Sequence, residues 1–325
     1  MIKSKIPFRI SFFGGGTDYP DWYKKRGGAV VSTTIDKYIN IYARELPPFF
    51  DFKYKISYSN VEKVKNVELI KHKAIREILK YKKFFKNLEI NLISDLPARS
   101  GLGSSSAFTV GFLSVINYLQ NKSKYSKYQL AMEAIKTERK ILKENVGCQD
   151  QIAVSYGGFN KINFYQNDTF KVSKLNIPEK ILNKLNNNLM LFFTGFPRIA
   201  SNIAKKQIEN IKQDKITLNI TERNLNHFIE ILRQNKNFDD IGILLHEAWH
   251  EKKKISDLIT NYEIDKIYNF ARKNGALGGK ILGAGGGGFM LLYVNKIKQN
   301  HLKKKLKNLI HVPFKFENSG CTIKS

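Results

Sequence analysis

Two glycines and four serines stand between a proline and an apolar run in LPARSGLGSSSAF, residues 96–108. The stretch follows a short strand-like segment, LEINLISD, and leads into SSAFTVGFLSVINYL, whose apolar residues lie on most sides and predict a buried helix. A flexible linker would instead sit between polar segments. At a strand-to-helix turn, Gly101 and Gly103 let backbone N–H groups approach a phosphate without interference from a Cβ, and the first amides and dipole of the helix favour negative charge. Ser104, Ser105 and Ser106 add hydroxyls for capping, for phosphate hydrogen bonds or for a magnesium ion. The same residue types also serve a plain turn with an N-cap. The pattern is neither G-x-x-x-x-G-K-[ST] nor G-x-G-x-x-G, which counts against P-loop NTPases and dinucleotide binders.

Three further clusters could carry chemistry. GGKILGAGGGG, residues 278–288, has more glycine than a hairpin turn needs, which favours close approach of the backbone to a ligand or to another loop. Near the N-terminus, Arg9 in a strand-like stretch and Asp18 just beyond Gly14-Gly15-Gly16-Thr17 could address phosphate and sugar hydroxyls, although a surface ion pair or an Asx-turn uses the same residues. Asp150, in GCQDQ, is either a helix cap or a catalytic carboxylate. Glu138 lies twelve residues earlier, too far for one helical face, so only tertiary folding could join the two. His246 and His250 sit one helical turn apart but lack the H-E-x-x-H pattern, and they read as helix packing or solvation.

The elements that must position these groups alternate without a regular βαβ repeat. Strands and turns fill the first 60 residues, and KYQLAMEAIKTERKILKENV predicts one strongly periodic helix ending near Gly147. Helices dominate from Ile199 to about Asn274. Two glycine-flanked strands, a lysine-rich helix and a last strand, VPFKFE, close the chain. The order fits an α+β protein of two layered domains, residues 1–168 and 169–325, with the boundary in the polar stretch near Gln166.

At 325 residues and 42% apolar, the chain can bury a sizeable core. It has no apolar run long enough for a membrane span and no secretory leader, so a cytoplasmic protein without a membrane partner is expected. Cys148 and Cys321 show no metal-ligand spacing. The formal charge of +27 invites a polyanion partner, yet only ten of the 55 basic residues are arginine and the lysines spread over helical segments. That distribution reads as lysine on solvated faces, and no zinc-finger or RNP-like motif supports nucleic-acid binding.

Taken in order, PFRISFFGGGTDY, LPARSGLGSSSA and GGKILGAGGGGF resemble the three motifs of the GHMP kinase superfamily. Each is weak alone, but together they span nearly the whole chain. The resemblance implies a two-domain α+β fold, with a ribosomal-protein-like N-terminal domain, a ferredoxin-like C-terminal domain and an active site in the cleft between them. It implies ATP as donor and Mg²⁺ as metal. Gly101, Gly103, Ser104, Ser105 and Ser106 become phosphate contacts, Ser105 the hydroxyl at the metal and Glu138 the metal-holding carboxylate. Asp150 matches the proposed general base, Arg9 the basic residue beside it, and Asp18, with Gly16 and Thr17, the turn that binds sugar hydroxyls. Gly285 and Gly286 of the third motif fall on the substrate side.

Within the superfamily, RISFFGGGTDY and TGFPRIASNI most resemble the D-glycero-D-manno-heptose 7-phosphate kinases. The resemblance implies a sugar phosphate as the small-molecule partner, attack by its anomeric hydroxyl, and a cation such as Arg198, with Ser201, at the substrate phosphate. Kinases of unphosphorylated sugars such as L-fucose or galactose, and a non-catalytic binding protein on the same fold, are the alternatives. A homodimer is left open. One departure stands out: Arg99 occupies a position where the family's middle motif usually has glycine.

Overall fold

The computed structural model describes residues 1–195, 200–212 and 219–325. Its N-terminal part runs β1 (Ile2–Phe13), α1 (Pro20–Arg26), β2 (Gly28–Glu45), β3 (Tyr54–Ser57), β4 (Val61–Val64), α2 (Lys73–Tyr81), β5 (Leu88–Ser94), α3 (Ser104–Asn121), α4 (Lys127–Lys136), α5 (Gln149–Tyr156), β6 (Asn160–Phe164) and β7 (Phe170–Lys174). After α6 (Glu179–Asn187) and β8 (Leu189–Phe193) come the helices α7 (Ala200–Lys212), α8 (Asn219–Gln234), α9 (Asp240–Ile255) and α10 (Tyr262–Lys273). The chain ends with β9 (Ala276–Ile281), β10 (Phe289–Val294), α11 (Lys296–Lys305), β11 (Ile310–His311), β12 (Phe316–Glu317) and β13 (Thr322–Lys324).

Two sheets organise the described residues. The larger runs β13-β1-β2-β5-β3-β4, with β6 and β12 also pairing β2 and β7 pairing β6. The smaller runs β11-β8-β10-β9. In β1, Ile6, Phe8, Ile10 and Phe12 are fully buried and alternate with residues on the opposite face, which places Arg9 away from that apolar row. Helix α3 packs on β1 and β2, and Ile6 occupies the space that a Cβ on Gly111 would take. The all-round apolar character of α3 follows from this central position, with twelve of its residues buried.

Sheet membership cuts across the expected boundary at 168/169. Strand β7 pairs with β6 as a hairpin, and β12 and β13 return to β2 and β1 after the chain has built the second sheet. Short polar and aromatic segments at the C-terminus gave no period by which this return could be read. The expected single helix over 127–146 is also divided: α4 ends at Lys136, a π-helical turn spans Thr137–Ile141, and residues beyond Leu142 leave the helix. Apolar periodicity continues across such a turn, so spacing does not reveal it.

The two glycine-rich loops dock on each other across the domains. Phe289 N–H donates to Ser100 C=O at 3.0 Å, while Thr194 donates to Gly288 C=O from both N–H and Oγ1 at 2.9 Å. Gly288 has φ +90°, and a Cβ there would lie 2.3 Å from the Ser100 carbonyl oxygen. Substituting Gly288→Ala therefore strains the backbone and separates the loops. We expect a stability loss of at least about 2 kcal/mol, read by urea denaturation.

Candidate active site

Arg9 gathers the site. Its backbone N–H donates to Leu102 C=O at 3.0 Å and its Nη1 to Gly101 C=O at 2.7 Å, so β1 fixes the loop ahead of α3. The same guanidinium grips Asp150 with two donors, Nε to Oδ1 at 2.7 Å and Nη2 to Oδ2 at 2.6 Å. Planar two-point pairing of this kind fixes orientation as well as distance. The Arg9 side chain is 4% exposed and that of Asp150 25%, so the cation is enclosed while the carboxylate keeps an open edge toward the cleft.

Gly103 begins α3 with φ +79°, and a Cβ at this position would approach Arg9 Cγ to 3.2 Å. Helix α3 has no side-chain cap at its N-terminus, which leaves its first amides for a ligand. Arg99 adopts φ +59°, in the left-handed region, and its N–H donates to Ser104 Oγ at 3.1 Å. This explains the glycine expected at that position: the turn needs positive φ, and here an exposed arginine adopts it.

Glu138 projects from the π-helical turn into the interior and is fully buried. Ser106 Oγ donates to its Oε2 at 2.9 Å, and Gln151 Nε2 donates to the same oxygen. Oε1 is buried too, and the buried hydroxyl of Thr109 is a further hydrogen-bonding partner of the carboxyl. Burial, then the nearby charge of Glu144, pushes the carboxyl up to about 7. A buried carboxyl beside the Ser106 hydroxyl, with Ser105 next along the helix, is a donor set that fits a hard divalent cation. Among the described residues no group of three acidic, histidine or cysteine side chains could hold a metal ion. The resemblance names Ser105 and Glu138 as the metal residues; the hydroxyl that bonds Glu138 in the structure is that of Ser106.

Asp18 lines the cleft and is almost fully buried. Its Oδ1 accepts from Gly16 N–H at 3.1 Å and its Oδ2 from Gln149 N–H at 3.3 Å, tying the first glycine turn to the start of α5. Burial, and then the charge of Asp150, raises its pKa above the usual carboxylate range. Gly16 also lines the cleft, but Thr17 does not: its hydroxyl bonds Gly14 C=O at 2.7 Å and Ala29 C=O at 3.0 Å and closes the turn from behind. Gly285 and Gly286 likewise lie off the cleft wall, where Gly283 and Ala284 stand instead. A Cβ on Gly285 or Gly286 would strike Ile259 or Ile203, so these glycines permit packing between loops. Arg198 lies outside the described residues, and of Ser201 only the backbone in the first turn of α7 is described.

Two lysines escaped the sequence reading. Lys280, in β9, lines the cleft beside Arg9 and donates to Phe12 C=O at 2.6 Å across the domains. Burial, and then the charge of Arg9, lowers its pKa to about 7. Lys252, in α9, caps the carbonyls of Ile281 and Gly283. Neither stands out among so many lysines, although Lys280 falls inside a motif already noted for its glycines. His246 bonds Tyr268 at 2.6 Å and packs edge-on to His250, in line with a packing role.

The cleft encloses about 1540 Å³, and Arg9, Asp18, Ser104, Ser105, Ser106, Asp150 and Lys280 all line it. Residues from all four expected clusters thus line one space. The GHMP kinases N terminal domain family matches residues 68–158, and the GHMP kinases C terminal family matches residues 228–311. Over 317 residues the chain is 31% identical to the D-glycero-alpha-D-manno-heptose 7-phosphate kinase of Campylobacter jejuni, covering 94% of this chain and 93% of that one. The chain is a GHMP kinase.

Solved structures agree in fold. A putative sugar kinase from Campylobacter jejuni superposes with TM-score 0.77 at 28% identity, covering 99% of this chain and 98% of that one. A D-glycero-D-manno-heptose 1-phosphate kinase from Bacteroides thetaiotaomicron gives 0.78 at 24% identity, covering 100% and 99%. Membership identifies an ATP-dependent kinase with the two-domain α+β GHMP fold. No described helix is long and apolar enough to cross a membrane.

Lys280 gives this site a measurable pH signature. A lysine whose folded pKa is depressed holds its proton in the unfolded chain over the interval from about 7 to its ordinary 10.5, so stability rises with pH across that interval. We expect Lys280→Met to be more stable than the wild type at pH 7 and below, by a margin that shrinks toward pH 10, in denaturation at matched salt. Loss of this cleft cation should lower kcat about tenfold or more.

Proposed function

We propose that this GHMP kinase transfers the γ-phosphoryl group of ATP to the anomeric hydroxyl of D-glycero-D-manno-heptose 7-phosphate, giving the 1,7-bisphosphate, in the cytoplasm, for GDP-heptose and surface polysaccharide synthesis. The observation that carries the substrate class is the near full-length similarity to the Campylobacter enzyme. The geometry supports the chemistry: a carboxylate with an open edge, a buried guanidinium behind it and uncapped helix amides face one cleft.

Phosphoryl transfer asks chiefly for positioning and for neutralising charge. The amides of the 101–106 segment hold the triphosphate, and Glu138 with the Ser105 and Ser106 hydroxyls would hold Mg²⁺. The metal, when bound, offsets charge on the phosphate oxygens. Asp150 accepts a hydrogen bond from the sugar hydroxyl through its open edge. As the sugar oxygen bonds to phosphorus and the bond to the ADP oxygen breaks, Asp150 takes the hydroxyl proton. An anomeric hydroxyl is more acidic than other sugar hydroxyls, which suits a carboxylate acceptor. Arg9 keeps Asp150 aimed and couples its position to Gly101. On the other flank, Tyr58, His72 and Phe108 line the cleft as successive ring contacts at 5.1 and 5.2 Å, a surface for a planar base.

Replacing Asp150 with Ala should lower kcat by about 10³-fold while ATP affinity changes less than about threefold, as measured by single-turnover transfer and nucleotide binding. Transfer at the wild-type rate would remove Asp150 from its role. Heptose 7-phosphate should exceed free L-fucose and galactose in kcat/KM by about 100-fold or more, since a phosphate adds charge-assisted contacts. Preference for a free sugar would overturn the substrate assignment and leave the kinase chemistry intact.

A further inference from the structure

Among the described residues, Lys280 is a buried cation of the cleft with no carboxylate partner. Its Nζ donates to Phe12 C=O at 2.6 Å, and the residue is 8% exposed. The charge that acts on it is the like charge of Arg9, which together with burial lowers its pKa to about 7. Burying an ammonium beside another cation is costly unless an anion comes to meet it. An ammonium has three donors, and the Phe12 carbonyl takes one of them.

The fold holds this lysine firmly at the cleft. A Cβ on Gly278 would lie 1.8 Å from the Gly242 carbonyl oxygen in α9, and one on Gly279 would lie 2.3 Å from the Leu291 carbonyl oxygen in β10. The two glycines therefore let β9 press against both neighbours just before Lys280. Just after it, Lys252 of α9 bonds the carbonyls of Ile281 and Gly283. With its backbone fixed on both sides, Lys280 reaches across to the N-terminal sheet, and it lines the cleft with Arg9, Phe12 and Asp150. The GGK of the third motif is thus a mount for an ammonium group.

Arg9 is committed elsewhere. Its Nε and Nη2 are spent on Asp150 and its Nη1 on Gly101 C=O, and the Asp150 carboxylate offsets its charge. Phosphoryl transfer nevertheless asks for positive charge at the oxygens of the moving group. The phosphate already on a heptose 7-phosphate lies at the far end of the sugar from the reacting hydroxyl, whereas Lys280 neighbours the pair that handles that hydroxyl. Resting on the phosphoryl-transfer reading of the cleft, we propose that Lys280 is a further catalytic residue, whose ammonium bonds a non-bridging oxygen of the phosphoryl group in flight. As the sugar oxygen bonds to phosphorus and the bond to the ADP oxygen breaks, Asp150 takes the hydroxyl proton and Lys280 keeps its own.

The test is binding of fluoroaluminate, which takes the place of the phosphoryl group between ADP and sugar, followed by fluorine NMR of the full-length protein with ADP, magnesium and heptose 7-phosphate. Lys280→Met should weaken fluoroaluminate binding about 30-fold or more, while ATP and sugar-phosphate affinities stay within about threefold, because the contact belongs to the transition state. A merely structural lysine would move all three together. Fluoroaluminate bound as tightly by a folded Lys280→Met protein, or an equal loss of ATP affinity, would overturn the assignment. Should that variant fail to fold, Lys280→Gln decides the matter, since it can donate to a carbonyl but carries no charge: lost fluoroaluminate binding with ATP affinity kept supports the proposal, and unchanged binding contradicts it. The comparison uses whichever sugar supports trapping in the wild type, so a wrong sugar assignment leaves it readable. A wild type that traps fluoroaluminate with no sugar at all as acceptor partner, heptose 7-phosphate, L-fucose and galactose included, would contradict the phosphoryl-transfer reading and this proposal with it.

Discussion

One guanidinium holds the catalytic cleft in register. Arg9 is separated from Gly101 by 92 residues and from Asp150 by 141, and it bonds both while its own backbone N–H secures Leu102. A buried charge with missing partners would be strongly destabilising, so satisfaction of this arginine constrains strand, loop and helix together. Lysine could supply the charge but not the planar fork that fixes two carboxylate oxygens at once. The open edge of Asp150 is therefore set by the same contacts that shape the loop at the start of α3.

Charge is arranged along the cleft rather than spread over it. Arg9 and Lys280 lie together on the floor near Asp150, with Asp18 tucked behind backbone amides. Glu144 lines the serine end, and the fully buried Glu138 is bonded there by Ser106. Between these regions run the uncapped amides of α3. Such an order suits a polyanion that brings a cation with it, since amides and guanidinium would favour phosphate and a carboxyl would favour the metal. The cross-domain bonds of Ser100 with Phe289 and of Lys280 with Phe12 hold the walls of this space together.

Much of this was legible in the residues. The strand-then-helix setting of the 96–108 stretch marked the turn that opens α3, the continuous apolar character of 104–121 marked the central helix, and Arg9, Asp18 and Asp150, from separate motifs, line one cleft. Other features left no pattern to read. A π-turn preserves apolar periodicity, so the break at Thr137 was hidden. Gly285 and Gly286 announce close approach, but their composition does not say that the neighbour is Ile259 or Ile203 rather than substrate. Ser105 and Ser106 are chemically identical, and only the phase of α3 decides that Ser106 meets Glu138. Lys280 was one lysine among many until burial distinguished it.

The central claim is that Asp150 directs an anomeric hydroxyl onto the γ-phosphorus of ATP. Phosphorus NMR of the product formed from heptose 7-phosphate and ATP tests it most directly. The account predicts a new phosphomonoester signal coupled to the anomeric proton, formed one for one with ADP and absent with Asp150→Ala. A new phosphate on any other carbon, or ADP released only with inorganic phosphate, would contradict it.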